Sequence, residues 1–154
     1  PMTWAFYPGG HVGDPTLESR IFSAITGNEI DEAGLNRLGE RIFNLQRAIM
    51  LRQGWRGRQD DRVLDYYYQE PLNESDVYFT PECEVMGPNG KAVSLLGATL
   101  KETEVEKMKT EYYALRGWDT ASGFLTKNGL VSLGLSDIAS DLAGRGLLKL
   151  VQAF

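Results

Sequence analysis

Cysteine and histidine are nearly absent from this 154-residue sequence, which contains one of each. A single cysteine allows no internal disulfide bond, and with one histidine the chain cannot build a four-ligand zinc site from these two residue types. Long apolar runs are also lacking: none approaches the roughly twenty residues that span a bilayer, and no basic-then-apolar leader stands at the N-terminus. The sequence therefore predicts a cytoplasmic protein with no membrane partner.

Positive charge is in deficit as well. The net charge is -5 and the lysines and arginines are scattered, which argues against a nucleic-acid partner because phosphate binding needs a basic stripe. The sequence also lacks a P-loop, a dinucleotide-binding glycine pattern, Gly-x-Ser-x-Gly and His-Glu-x-x-His. What remains is an ordinary globular composition, 42% hydrophobic and 24% charged, at a length that suits one domain.

The strongest pattern is the segment from Ile30 to Gly54, which predicts a long α-helix. Asp31 can cap its first turn, and Gly54 suits the left-handed residue just past its last turn. Apolar residues recur at spacings of three and four, which places them on one helix face that should pack inside the protein. These predicted inner residues are Leu35, Leu38, Ile42, Leu45 and Ile49.

Five further helices are predicted, most of them between a capping side chain and a glycine or proline. The first runs from Asp14-Pro15 to Thr26, with Leu17, Ile21 and Ile25 inside; the second from Arg62 to Gln69, capped by Asp60 or Asp61; the third from Glu102 to Arg116, with Val105, Met108, Tyr112 and Leu115 inside; the fourth from its cap Thr126 to near Gly134; and the fifth from its cap Ser136 to Ala143.

At about residues 77–97 the helical spacing gives way to strand-forming residues around a turn, which predicts a small β-hairpin. Val77, Phe79, Val85 and Val93 are strand-forming residues, and Gly87–Gly90 contains the Asn-Gly pair of a tight turn. Residues 1–13 read as an irregular segment, residues 14–143 as a helical domain and residues 144–154 as an apolar tail that could be helical. The predicted fold class is mainly α, a multi-helical domain with a small hairpin.

Two residues stand out as candidates for chemistry. His11 lies in a glycine-rich loop and is the one candidate catalytic residue, although a lone loop histidine is more often structural or solvated. Cys83 lies between two glutamates, which raise rather than lower the pKa of a thiol. We therefore predict no metal site and no cysteine nucleophile.

Two other groups have ordinary structural explanations. Asp60 and Asp61 lie between Arg58 and Arg62, so helix capping and surface ion pairing account for them. The tyrosines could be read as a stacking platform, but their helical spacing favours a half-buried core role. These tyrosines are Tyr66, Tyr67, Tyr68, Tyr112 and Tyr113.

Several ordered blocks together resemble the C-terminal region of the tungsten-containing aldehyde:ferredoxin oxidoreductase family. The blocks are EYYALRGWDTASGFLTKNGLVSLGL (Glu111 to Leu135), GERIFNLQRAIMLRQG (Gly39 to Gly54), QDDRV with QEPL (Gln59 to Leu72) and HVGDPTLESRIFSAITG (His11 to Gly27). The resemblance covers roughly Gly10 to Ala143. Departures are modest: Gln53 replaces a common acidic residue, and Leu125 stands where the family has proline.

This resemblance implies an enzyme that oxidises aldehydes or reduces carboxylic acids or related carbonyl compounds. The family uses a tungsten or molybdenum bis-pterin and a [4Fe-4S] cluster that passes electrons to ferredoxin. Its cluster cysteines, acid/base residues and main pterin loops belong to N-terminal and middle domains that this chain does not contain. We expect residues 14–143 to be the C-terminal helical domain, binding no cofactor alone, inactive alone, and helping to close the cofactor and substrate cavity.

Two alternatives remain open at this point. The chain could be an autonomous, non-catalytic helical module for binding or scaffolding, which predicts a complete core. It could also be a stand-alone redox or metal protein that uses Cys83, which predicts bound iron and sulfide. Substrate, metal, electron acceptor and oligomeric state are not encoded in these residues.

Overall fold

The structure is a computed structural model that describes residues 14–76 and 83–148. Within these residues the predicted mainly α fold with a small hairpin is confirmed, and no described helix is long and apolar enough to cross a membrane. The helices are α1 (Leu17–Thr26), α2 (Glu32–Arg52), α3 (Tyr66–Gln69), α4 (Glu102–Leu115), α5 (Lys127–Ser132) and α6 (Ser136–Gly144), and the strands are β1 (Glu84–Met86) and β2 (Ala92–Ser94).

The chain divides into two compact units. The first takes its described residues from Pro1–Trp55 and Leu125–Phe154, and the second is formed from Arg56–Phe124. The first unit thus contains α1, α2, α5 and α6, and the second contains α3, α4 and the hairpin. The prediction of one helical domain over residues 14–143, with an irregular segment before it and a tail after it, stays a prediction.

The ends of α2 follow the sequence. The Asp31 carboxylate accepts a hydrogen bond from the Gly34 backbone N–H at 2.7 Å, as an N-cap should. At the other end Gly54 adopts a φ of 96°, a conformation that glycine reaches at no steric cost. Both predicted boundaries of α2 are confirmed.

The predicted inner face of α2 is wrong. Ile42 is 52% exposed and Ile49 is 47% exposed, whereas Leu51 on another side of the helix is 1% exposed. The buried face instead consists of Asn44, Arg47, Ala48 and Leu51. Leu35 and Leu38 are half-buried. Apolar spacing therefore located the helix but not the face that this chain buries.

The core of the first unit lies where α2, α5 and α6 pack together. Leu130 and Leu142 are fully buried there. The predicted cap of α5 is confirmed, because the Thr126 hydroxyl accepts from the Gly129 N–H at 3.1 Å. Ser136 was predicted as a cap but is the first residue of α6, and it makes no capping bond.

Predicted inner faces fail on two other helices as well. Ile25 of α1 is 79% exposed and Leu115 of α4 is 85% exposed, while the buried residues of these helices are Ser19 and Tyr113. The same error affects the partly exposed Ile21, Met108 and Tyr112. Helix α1 also begins at Leu17 rather than at Pro15, since Asp14 binds the Thr16 N–H before the helix starts.

In the second unit, the predicted helix from Arg62 to Gln69 is shorter than expected. Only Tyr66–Gln69 is helical, preceded by a 3-10 turn at Gly57–Gln59, and neither Asp60 nor Asp61 caps it. Three of its four residues are tyrosines, and aromatic residues have a low helix propensity, which does not favour a longer helix here. A second 3-10 turn occupies Glu74–Asp76.

The hairpin is confirmed. Strands β1 and β2 pair antiparallel with Val85 opposite Val93, and Gly87 and Gly90 close the turn between them. All residues of both strands are exposed. Val77 and Phe79 lie outside the described residues. In the tail, residues 146–148 are not helical, and the remainder also lies outside the described part.

Candidate functional site

The two residues singled out for chemistry give no reacting centre. His11 lies outside the described residues, so its role stays a prediction. Cys83 is buried and adopts a φ of 49°, and its carbonyl accepts from the Leu95 N–H at 2.9 Å beside the hairpin. Among residues 14–76 and 83–148, no three His, Cys, Asp or Glu side chains converge as a metal site would require.

The Asp60–Asp61 pair is divided between two partners. Asp60 accepts from the Arg56 backbone N–H at 2.7 Å and forms an ion pair with the Arg56 guanidinium at 2.5 Å. These bonds hold the pKa of Asp60 below its usual value. Asp61 instead accepts a 2.5 Å hydrogen bond from the Tyr113 hydroxyl. Surface ion pairing is confirmed for Asp60, whereas capping is wrong for both.

A polar cluster that sequence reasoning missed is centred on Arg58. Its Nε and Nη2 contact one Glu106 carboxylate oxygen at 2.8 and 2.7 Å, and its Nη1 donates to the Thr120 carbonyl at 2.7 Å. Lys109 reaches both the Glu106 carboxylate at 2.7 Å and the Arg58 carbonyl at 3.1 Å. We call these four residues the Arg58 cluster.

The electrostatics of the Arg58 cluster are those of a structural clamp. Hydrogen bonds from Lys109 and then Arg58 hold the pKa of Glu106 below its ordinary value, so this carboxylate stays ionised and is a poor proton donor near neutral pH. The charge on Glu106 is matched by two cations. The sequence signal was the i, i+3 spacing of Glu106 and Lys109 on a helix, but nothing local pointed to Arg58.

The loop that precedes Arg58 requires glycine at position 57. It adopts a φ of 64°, and a Cβ at this position would lie 2.1 Å from the Ser122 carbonyl oxygen. The neighbouring Arg58 N–H donates to that same oxygen at 2.7 Å. The glycine therefore lets the two loops approach closely enough for the Arg58 cluster to form.

The tyrosines do not form one platform. Tyr113 is buried and Tyr68 is half-buried, as a core role predicts, but Tyr66, Tyr67 and Tyr112 are exposed. These three are 44%, 45% and 37% exposed, so they are partly covered but do not lie in the core. The rings of Tyr66 and Tyr67 are in contact, with centroids 4.2 Å apart and their planes tilted by 44°.

The largest unexplained feature of the first unit is an apolar stripe on its longest helix. Ile42, Leu45 and Ile49 are exposed on α2, and we call these three residues the outer α2 face. Exposed apolar side chains arranged in a row mark interaction surfaces more often than isolated ones do. The spacing of apolar residues in the sequence predicts that these three side chains are buried.

Comparison with known proteins identifies the family of this chain. The family model described as aldehyde ferredoxin oxidoreductase, domains 2 and 3, matches residues 3–135. The chain belongs to the aldehyde ferredoxin oxidoreductase family. It is 28% identical over 117 residues to the tungsten-containing aldehyde ferredoxin oxidoreductase of Pyrococcus furiosus, an alignment that covers 76% of this chain and 16% of the relative.

A solved structure agrees on the fold of this aldehyde ferredoxin oxidoreductase domain. It is the active site complex BamBC of benzoyl coenzyme A reductase in complex with 1,5-dienoyl-CoA, similar at a TM-score of 0.58 and 23% identity. The match covers 88% of this chain and 16% of that chain. The domain thus spans about a sixth of the length of each of these two proteins, which both contain much that this chain does not.

Proposed function

We propose that this chain is the C-terminal helical part of an aldehyde ferredoxin oxidoreductase-like enzyme, and that the outer α2 face packs against the remainder of that enzyme. The observation that carries the proposal is the exposure of Ile42, Leu45 and Ile49 in a helix whose pattern predicts burial. Ile42, Leu45 and Ile49 are 52%, 36% and 47% exposed, so covering the surface that is still exposed yields about 1 kcal/mol for each. A chain that matches 16% of its relatives leaves ample protein to provide the cover.

The chemistry of the proposed enzyme is aldehyde or carboxylate redox conversion at a tungsten or molybdenum bis-pterin. A [4Fe-4S] cluster needs four thiolates or equivalent ligands, and this sequence has one cysteine, which is buried beside the hairpin. These residues do not fit a cluster site by themselves. In the proposal the N-terminal and middle domains therefore hold the cofactors and pass electrons to ferredoxin in the cytoplasm.

The proposed contribution of this chain is to close the cofactor and substrate cavity, and the chemical step takes place on groups held by the rest of the enzyme. Helix α2 is held in place by Arg37, which donates to the Ser132 carbonyl, and by Arg52, which lies 3.7 Å from Asp141. A rigid helix can present the outer α2 face as one wall of an interface that closes the cofactor and substrate cavity. The chain alone is inactive, and His11 is the residue that we propose faces that cavity.

The experiment is to recover the native protein from its source with an antibody against this chain, under non-denaturing conditions. The intact mass is measured together with the tungsten, molybdenum and iron content. We expect a species several times larger than the 17.2 kDa of this chain, containing iron and either tungsten or molybdenum. In that species, a His11→Ala change should lower aldehyde oxidation without releasing metal.

A metal-free native species of 17.2 kDa would overturn the proposal and leave the autonomous binding module as the explanation. A matched control separates assembly from folding. Replacing Ile42 and Ile49 by lysine should abolish co-purification of the metal-containing portion, whereas replacing the exposed Gln46 and Arg41 by alanine should not. Both variants should retain the helical circular dichroism of the unaltered chain.

A further inference from the structure

A groove in the second unit has the size and lining of a small-molecule site. Its volume is about 430 Å³, within the range of about 300–1,000 Å³ that is typical of ligand pockets. Leu72, Leu95 and Leu100 line it together with the adjacent rings of Tyr66 and Tyr67. Such a largely apolar lining with a few polar groups is what a bound organic molecule requires.

The walls of this groove are fixed by backbone hydrogen bonds. The Leu72 N–H donates to the Ala98 carbonyl at 2.9 Å, and the Gly97 N–H donates back to the Leu72 carbonyl at 2.8 Å. Further along, the Leu100 N–H donates to the Tyr67 carbonyl at 3.0 Å. These bonds tie the segment around α3 to the segment that follows β2. The groove is therefore formed before any ligand arrives, which lowers the entropic cost of binding.

The charges of the groove have one sign. Glu70 and Asp76 are the charged side chains that line it, and both are carboxylates. A hydrogen bond to Tyr67 is the main reason why the pKa of Tyr66 lies above its usual value; burial and then the neighbouring charges, which include Asp76 and Glu70, raise it further. Tyrosine rings also attract cations through their electron-rich faces. An anionic ligand would be repelled here, whereas a cation would meet two carboxylates and two rings.

We propose that this groove binds a small organic cation, an ammonium group carried on an apolar aryl or alkyl body. The ammonium lies by Glu70, Asp76 and the tyrosine pair, and the apolar body covers the leucines. This site is separate from the proposed role of α2. Because the test uses this chain alone, either proposal can fail without the other.

The test compares three isosteric probes by isothermal titration calorimetry, with the NMR signals of the Tyr66 and Tyr67 rings as the local readout. The probes are 4-phenylbutylammonium, the neutral 4-phenylbutanol and the anionic 4-phenylbutyrate. We expect saturable binding of the ammonium, about tenfold tighter than the alcohol because of the carboxylates, and the weakest binding for the anion. Shifts should be largest for the two tyrosine rings.

Variants locate the site. Glu70→Gln should weaken ammonium binding about fivefold to tenfold and leave the alcohol unchanged, whereas Glu29→Gln, an exposed carboxylate in the first unit, should change neither. Leu100→Ala should weaken the ammonium and the alcohol together; its circular dichroism checks that the fold is kept. Equal affinity for the three probes, no saturable ammonium binding, or loss of ammonium selectivity with Glu29→Gln would overturn the proposal.

Discussion

The two faces of α2 differ in a direction opposite to the usual one. The buried face contains an asparagine and an arginine beside Ala48 and Leu51, whereas the outer α2 face contains Ile42, Leu45 and Ile49. A hydrophobic pattern records which side chains are kept from water in the whole protein, and burial in one chain records only what that chain covers. This difference between the faces is the observation on which the proposed interface rests.

The largest expected effect is loss of packing on the buried face. Leu51→Ala removes a side chain that is 1% exposed and leaves a cavity, so it should lower the free energy of unfolding by about 2–5 kcal/mol. Ile49→Ala on the outer face, two residues away, should cost about 1 kcal/mol or less. Chemical denaturation of both variants measures the contrast. Equal costs would mean that both faces are packed in this chain.

The second effect concerns a polar side chain on the buried face. Asn44 is 2% exposed, and its amide donates to the Glu40 carbonyl at 2.9 Å. Asn44→Ala should lower the free energy of unfolding by about 1–3 kcal/mol, because a buried amide loses its hydrogen bonds and leaves acceptors behind. The exposed Gln46→Ala is the matched control and should be neutral. A neutral Asn44→Ala would show that this face is not closely packed.

A smaller loss of stability is expected from a change in the Arg58 cluster of the second unit. This charged cluster is partly exposed, unlike the buried face of α2. The pKa of Glu106 is lowered in the folded protein, so its stabilisation is present above the unfolded value of about 4.3 and is lost as the pH falls through the folded value. Glu106→Gln should cost on the order of 1 kcal/mol at pH 7, since the carboxylate is half in solvent.

The readout of Glu106→Gln is the pH dependence of urea unfolding. The unaltered chain should lose stability on acidification below about pH 4.3 more steeply than the variant does. Glu104→Gln, an exposed acid on the same helix, is the control and should keep the steep dependence. Identical pH profiles for the unaltered chain and Glu106→Gln would contradict the clamp described for the Arg58 cluster.

The smallest change in stability is expected for polar substitutions on the outer α2 face, which should nevertheless strongly reduce dye binding and self-association. Replacing Ile42 and Ile49 by glutamine keeps good helix formers in place and should change the free energy of unfolding by about 0.5 kcal/mol or less per site. The same double variant should lower the binding of a hydrophobic dye to the chain and reduce self-association at high concentration. Unchanged dye fluorescence would show that the outer α2 face is not the hydrophobic surface to which the dye binds.

Local rules predicted a large part of the fold. Caps at Asp31 and Thr126, glycines at Gly27 and Gly54 and the Asn-Gly turn of the hairpin act within a few residues, so the sequence alone located α2, α4, α5 and the hairpin. Burial could not be predicted in this way. It depends on which surfaces meet in space. Most residues of the predicted apolar rows on α1, α2 and α4 are exposed, and the rest are half-buried, namely Leu17, Leu35, Leu38 and Val105.

The candidate sites show the same limit. Arg58 joins residues 48 and 62 positions away in the chain, and no local pattern encodes such a contact. Gly57 could be recognised as a turn residue, but the approach of the Ser122 carbonyl could not. The family motifs were informative for another reason, since several ordered blocks together indicate the aldehyde ferredoxin oxidoreductase family, to which the chain belongs.

The most direct test of the central claim is the reactivity of a cysteine placed at Ile49. Its rate of alkylation is followed by mass spectrometry in the 154-residue chain and in the native species recovered from the source organism carrying the same change. We expect fast labelling in the chain alone and at least about hundredfold protection in the native species, because a side chain buried in an interface is shielded from the reagent. Equal rates in the two would contradict the claim that the outer α2 face packs against the rest of an oxidoreductase.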